Sequence, residues 1–139
     1  MTRPGPHPTG LVQHLADGGS ERSSTDERYP DALANQKAIN QLIWLQLGEL
    51  GVTPATELEL DFTFIAPSAE AARALEEQLA RLTDYTLSIR RGAGPTSTLT
   101  GTTRPAAVNL AILDEWADWM ICLGLSQDCE FAGWGTEAP

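Results

Sequence analysis

Residues 57–65 alternate between apolar and polar side chains, and this pattern constrains the fold more than any other stretch. A β-strand turns successive side chains to opposite faces, so such a strand has one oily face and one acidic face. The apolar face carries Leu58, Leu60, Phe62 and Phe64, and the polar face carries Glu57, Glu59, Asp61 and Thr63. Because the apolar face needs helices to cover it, the stretch predicts a sheet covered on one side.

The charge balance limits the classes of partner. The 139 residues contain nine Lys and Arg against 19 Asp and Glu, a formal net charge of −10. Such a chain repels a phosphate backbone, so we expect no direct binding of nucleic acid. The first ten residues have no apolar stretch, and no apolar run approaches the roughly 20 residues that span a bilayer. We therefore expect a cytoplasmic protein with no membrane segment. In that compartment Cys122 and Cys129 are expected to be reduced, and a disulfide between them is the alternative.

Residues 1–29 are rich in proline, glycine and polar side chains, which predicts a disordered or weakly ordered tail. Residues 30–136 are predicted to form one domain. It begins with a helix over residues 31–50, whose apolar face is formed by Ile39, Leu42, Ile43, Leu47 and Leu50. The strand at residues 57–65 follows. A helix begins at Ser68, strands cover residues 84–90 and 96–103, a last helix begins at Pro105, and a final strand covers residues 128–134.

This order predicts an α+β fold, a ferredoxin-like βαββαβ sandwich with a four-stranded antiparallel sheet, helices on one face and an extra N-terminal helix. The first strand is then central and the last strand lies beside it. The extra helix must bury its apolar face against the sandwich or against a second subunit, so a homodimer is one expectation.

Five carboxylates are expected on the open face of that sheet: Glu57, Glu59, Asp61, Asp128 and Glu130. One interpretation is that the face is polar simply because it is exposed to solvent. A docking surface for a basic segment of another protein is the second. A metal site is the third and is disfavoured, because no His or Cys accompanies the acids at ligand spacing.

The sequence predicts neither an enzyme nor a cofactor. His7 and His14 are the only histidines and both lie in the tail, so the predicted domain has no histidine to serve as general base or to activate a cysteine or serine. The glycines at positions 92 and 94 join two strands and precede no helix, which excludes a phosphate-binding loop.

The C-terminal residues resemble the closing signature of the regulator of ribonuclease activity B family. That signature is an aromatic residue, Asp, Gly and Trp, often followed by Gly. Phe131, Gly133, Trp134 and Gly135 match it, whereas Ala132 stands where the family usually has Asp. The segment Leu-Gly-Glu-Leu-Gly-Val before the first strand and the Phe-Ile-Ala-Pro-Ser end of that strand also resemble family segments, so the resemblance covers roughly residues 35–136.

The resemblance implies a small, acidic, cytoplasmic protein of ferredoxin-like fold that inhibits the endoribonuclease E by binding it, without being a nuclease. The predicted function is accordingly a non-enzymatic protein–protein interaction, with the five carboxylates as binding residues and Trp134 as an aromatic anchor at their edge. Alternatively Trp134 closes the end of the core. The alternative function is a structural or dimerisation domain with no ribonuclease partner.

Overall fold

The computed structural model describes residues 26–137, so residues 1–25 of the predicted tail lie outside the described part. Three helices and six strands follow one another along the described chain. They are α1 (Tyr29–Glu49), β1 (Glu57–Leu58), β2 (Asp61–Ala66), α2 (Ala69–Leu82), β3 (Thr86–Arg91), β4 (Ser97–Thr102), β5 (Ala106–Ala107), α3 (Leu110–Leu125) and β6 (Glu130–Gly135). None of these helices is both long enough and apolar enough to cross a membrane.

The main sheet has four antiparallel strands in the order β3–β4–β2–β6. The prediction that the first long strand is central and the last lies beside it is confirmed. Helix α2 connects β2 to β3, and α3 connects β4 to β6. Both helices bury side chains in the same core as Phe62 and Phe64, so they cover one face of the sheet. The fold is α+β and its layout is compatible with a ferredoxin-like fold.

The alternating stretch is divided between two sheets. Glu57 and Leu58 pair with Ala107 and Ala106 in a separate two-stranded sheet, and the main strand begins only at Asp61. The four apolar residues of the stretch nevertheless all point inward, as predicted: Leu58, Leu60, Phe62 and Phe64 are buried. Thr103 maintains the extended backbone between the two strands, because its Oγ1 accepts the Leu60 N–H at 3.0 Å and its own N–H bonds the Leu60 carbonyl at 2.9 Å.

Helix α3 begins five residues later than predicted. Pro105 does not open it, because Ala106 and Ala107 are used in the small sheet. The helix begins after Asn109, whose side-chain oxygen accepts the Ile112 N–H at 2.8 Å and so satisfies one of the free amides of the first turn. The predicted cap of α2 is confirmed, since Ser68 Oγ accepts the Ala71 N–H at 3.1 Å.

The buried face of α1 differs from the prediction. The helix packs on α3, yet Ile39, Leu42 and Leu50 are exposed. Its buried residues are Gln36, Asn40 and Leu47. Apolar periodicity was therefore right for Leu47 and for Ile43, which packs against the core, but it missed the buried amides and included three exposed residues.

A hydrogen-bond network explains how α1 can bury amides. Asn40 is fully buried, and its Oδ1 accepts both the Gln36 Nε2–H at 2.9 Å and the Trp134 Nε1–H at 2.7 Å. Its Nδ2 donates to Asp114 Oδ1 on α3 at 2.9 Å. Buried polar groups are tolerated when they are bonded in this way. Asn40 thus joins α1 to α3 and to β6.

Candidate functional site

An acidic cleft lies at the end of the sheet where β2 begins. It encloses about 250 Å³ and is lined by Glu57, Leu58, Glu59, Asp61 and Glu137. Four of these five residues are carboxylates and none is basic. The cleft brings together the three acids that the sequence predicted for the alternating stretch. It also adds Glu137, which sequence reasoning missed because it lies beyond the last strand.

Local structure fixes the direction of these acids. Leu58 is buried between Glu57 and Glu59, so the alternation of an extended chain turns both glutamates outward. Thr136 ties the C-terminal segment to the cleft, because its Oγ1 donates to the Glu59 carbonyl oxygen at 2.6 Å. Thr102 Oγ1 donates to Asp61 Oδ1 at 2.7 Å and orients that carboxylate.

Asp128 and Glu130 do not belong to this cleft. Glu130 lies opposite Ile65 at the far end of β2, whereas Asp61 lies opposite Gly135. Four residues of strand separate the two positions, a distance of about 13 Å. The predicted surface of five carboxylates is therefore divided into two groups.

Asp128 also has a basic partner. Arg28, just before α1, lies 2.6 Å from Asp26 and 3.3 Å from Asp128. The hydrogen bonds from Arg28 lower the pKa of Asp26 to about 2. Because the guanidinium offsets part of the negative charge at this end, the cleft is the more purely acidic of the two groups.

Trp134 faces the core, which agrees with the second of its two predicted roles and not with a surface anchor. Phe64 pairs with Phe131 and Phe62 pairs with Trp134, and the register shifts between Thr63 and Phe64. Ala132 is an extra residue of β6 between the residues that pair with Thr63 and Phe64, so β6 has a β-bulge at Ala132–Gly133. Gly133 has a φ of 124°. The extra residue turns Trp134 to the same side as Phe131.

At 8% exposure Trp134 offers no surface anchor and instead closes the core. Its ring packs edge-on to Trp116, with centroids 6.4 Å apart. Trp116 also donates its indole N–H to Tyr85 Oη at 3.0 Å. Burial raises the pKa of Tyr85 far above its ordinary value, so this hydroxyl stays neutral. Aromatic packing and satisfied polar groups make a rigid base beneath the last strand.

The open face of the sheet is dominated by small hydroxyl residues rather than by acids. Strand pairing places Thr102 between Thr86 and Asp61, and Thr100 between Ser88 and Thr63. These residues border a shallow depression of about 290 Å³. The alternating threonines at positions 98, 100 and 102 were the signal for this surface, and sequence reasoning used them only to predict a strand.

A third depression of about 370 Å³ lies beside β6. Ile39 of α1 forms one side of it, and Asp61, Thr63, Gly133 and Gly135 are among the other residues that line it. Asp61 borders all three depressions. It therefore stands where the acidic cleft, the hydroxyl face and a partly apolar groove meet.

Both cysteines are free thiols. Burial, and secondarily the charge of Asp128, raise the pKa of Cys129 to about 11, so its reactive thiolate is scarce at neutral pH. Within residues 26–137, no group of three or more His, Cys, Asp or Glu side chains is arranged to hold a metal ion. His7 and His14 lie outside the described residues.

No protein-family model matches this chain, and no curated protein sequence matches it. The resemblance to the regulator of ribonuclease activity B family therefore rests on the residues quoted above.

Proposed function

We propose that this chain is a non-enzymatic, cytoplasmic binding protein of ferredoxin-like fold that holds a basic segment of another protein in its acidic cleft. The strand order β3–β4–β2–β6 and the two helical crossovers support the fold assignment. Helix α1 is then an addition to the four-stranded sandwich, fastened through Asn40.

The observation that carries the function is the set of four carboxylates around one cleft, with no basic residue among the described residues that line it. Like charges held close together create a local negative potential, which attracts lysine- and arginine-rich segments and speeds their association. The apolar groove beside β6 shares Asp61 with the cleft. A partner segment with basic residues followed by an apolar residue would therefore fit this surface.

The state of the nucleophiles supports a role without catalysis. Cys129 is buried with a raised pKa, and the described residues contain no histidine to deprotonate a cysteine or serine. The carboxylates of the cleft are exposed to water, whereas a catalytic acid is commonly kept protonated by burial.

The resemblance to the ribonuclease regulators makes endoribonuclease E the first partner to test. Ala132 is the point of difference from that family. It is exposed in the bulge of β6, so a partner contact supplied there by an aspartate is missing in this chain. The binding energy would then come from the cleft, whose Asp61 also lines the groove at Ala132, and a partner other than this enzyme is compatible with the same chemistry.

The test is a titration calorimetry comparison of two variants of the full chain. The cleft variant carries Glu57→Lys, Glu59→Lys and Glu137→Lys. The matched control carries three reversals at exposed sites elsewhere: Glu49→Lys, Glu77→Lys and Glu115→Lys. Both have the same net charge, and circular dichroism checks that both fold. Purified endoribonuclease E is titrated first, followed by any protein identified by affinity capture with the parent chain.

We expect the cleft variant to lose binding and the control to keep most of it. Equal weakening of both variants would show that only net charge matters, and undiminished binding by the cleft variant would refute the proposal. A separate Glu130→Lys variant tests whether the second acidic group takes part.

A second candidate function is a structural domain that associates with another copy of itself. Exposed apolar side chains on α1 favour it, since Leu42 is 63% exposed and Leu45 is 58% exposed. Apolar residues that cluster on one element commonly mark an interaction surface.

A further inference from the structure

The two edges of the sheet differ in how they are protected. Strand β6 forms one edge and is interrupted by its bulge, a feature that discourages further strand pairing. Strand β3 forms the other edge. Its six residues pair with β4 in an unbroken register and contain neither proline nor glycine. Within residues 26–137 no strand pairs with the outer backbone N–H and C=O groups of β3, so this edge can accept another strand.

The core is open on the side of β3. Phe62 and Phe64 of the central strand are buried, whereas Tyr85, Leu87 and Ile89 pack against the core but are only partly buried. The end of the preceding helix exposes Leu82 as well. A strand added beside β3 would thus cover apolar surface in addition to pairing backbone groups.

Charge identifies what can dock there. Residues 81–91 carry Arg81, Arg90 and Arg91 against Asp84, so this segment has a net charge of +2 in a chain of −10. The segment carries both signs, with Asp84 before the strand and Arg90 near its end, so two antiparallel copies can bring opposite charges together. Asp84 and Arg90 are both exposed, and neither has an ion-pair partner within residues 26–137.

We propose that β3 pairs with β3 of a second copy of this chain, antiparallel about a two-fold axis at Leu87. In an antiparallel pair, directly opposite residues point to the same face of the sheet. A two-fold axis that relates two copies of one strand must therefore pass through a residue. Moving the axis by one residue shifts the register by two residues. With the axis at Leu87, Thr86 lies opposite Ser88 of the second copy. The pairing then continues onto the two residues that precede β3, so that Tyr85 lies opposite Ile89 and Asp84 lies opposite Arg90. An axis at Ser88 places Asp84 opposite Gly92 and loses both charge pairs.

The product is one continuous sheet of eight strands, four from each copy. Leu87 contacts Leu87 of the second copy on the helix-covered face of the sheet. The two symmetric Asp84–Arg90 pairs lie on the open face. This interface is separate from the exposed stripe of α1. It does not depend on what the acidic cleft binds.

Sedimentation of the full chain at tens of micromolar tests the interface. We expect a dimer for the parent chain. We expect a dissociation constant raised roughly tenfold or more in Asp84→Arg and in Arg90→Asp, because each change opposes like charges at two symmetric positions. The double variant Asp84→Arg/Arg90→Asp restores opposite charges and is expected to restore the dimer.

Cysteine cross-linking tests the register. Leu87→Cys places two thiols opposite each other at the axis and is expected to form a disulfide-linked dimer under mild oxidation. Ile89→Cys is the matched control, because its counterpart lies about 13 Å away along the paired strands. The parent chain measures any background from Cys122 and Cys129, which are both buried.

Three results would overturn the proposal: a parent chain that stays monomeric, charge reversals that weaken the dimer without rescue in the double variant, or equal cross-linking at positions 87 and 89. Dissociation by Leu42→Glu but not by Arg90→Asp would also overturn it, and would assign self-association to α1. Melting curves identify any variant that fails to fold, and in that case the cross-linking pair decides.

Discussion

Replacing Asn40 with alanine is expected to destabilise the domain strongly, although the residue is polar. The Asn40 side chain is 0% exposed and makes three hydrogen bonds, to Gln36, Asp114 and Trp134. Alanine leaves the Trp134 indole N–H without its acceptor in a site closed to water. The Gln36 amide and Asp114 each lose a partner as well.

The cost can be estimated from these contacts. A buried donor left without a partner costs about 1–3 kcal/mol. Trp134 and Gln36 are 8% and 5% exposed, so part of that penalty applies to each of the two donors. We expect a loss of about 3 kcal/mol, against a typical domain stability of about 5–15 kcal/mol. For a domain of this size the melting temperature should fall by about 12 °C.

Urea unfolding followed by circular dichroism measures the loss, and Asn35→Ala is the control. Asn35 is the same residue type on the same helix but is exposed. Its replacement should change stability by less than about 0.5 kcal/mol, because alanine favours helix and no buried bond is lost.

A double-mutant cycle with Trp134→Phe isolates the key bond. Phenylalanine removes the indole donor, so Asn40→Ala should cost about 1 kcal/mol less in that background. If Asn40→Ala costs no more than Asn35→Ala, or if the cycle shows no coupling, the network does not hold α1 in place.

Two further predictions concern the core. Gly101→Ala should cost about 1–3 kcal/mol in urea unfolding, because a Cβ there would lie 2.4 Å from the Phe62 ring, whereas Gly135→Ala has no neighbour within 4 Å and should be nearly neutral. In a Cys122→Ser background, Cys129 should react with iodoacetamide at pH 8 at least about a hundredfold more slowly in the folded chain than in urea, because its pKa is raised from 9.0 to about 11. The thiol has the lower pKa in the unfolded chain, so it ionises there first as the pH rises. The stability that Cys129 contributes should therefore be complete below about pH 9 and decline as the pH rises to about 11. Equal alkylation rates in the folded and unfolded chain, or a free energy of unfolding that does not change with pH, would contradict this.

The sequence was a good guide where structure depends on near neighbours. The inward direction of Leu58 to Phe64 follows from a two-residue period, and that period held even though the stretch is divided between two sheets. The central place of β2 followed from the order of elements and the need to cover one face. The outward direction of Glu57, Glu59 and Asp61 was also predicted correctly, because these acids alternate with the buried apolar residues.

The sequence was a poor guide where partners are distant. The bonds of Asn40 reach Asp114 and Trp134, which lie 74 and 94 residues away, and no periodicity reveals them. The buried face of α1 was therefore only partly predicted: Leu47 is buried as expected, whereas Gln36 and Asn40 were missed. The bulge had a visible signal, since glycine within a strand often marks one, but Gly133 was used only as part of a family signature.

The bulge makes the number of residues in β6 part of the fold, independently of their identity. Ala132 is exposed and touches little, so the position is free to vary in side chain. Its presence as a backbone unit is not free. Without it, strict alternation would carry Trp134 to the wet face, opening the core and separating the indole from Asn40. Ala132 therefore acts as a spacer: its side chain can vary, but deleting the residue would change the direction in which Trp134 points.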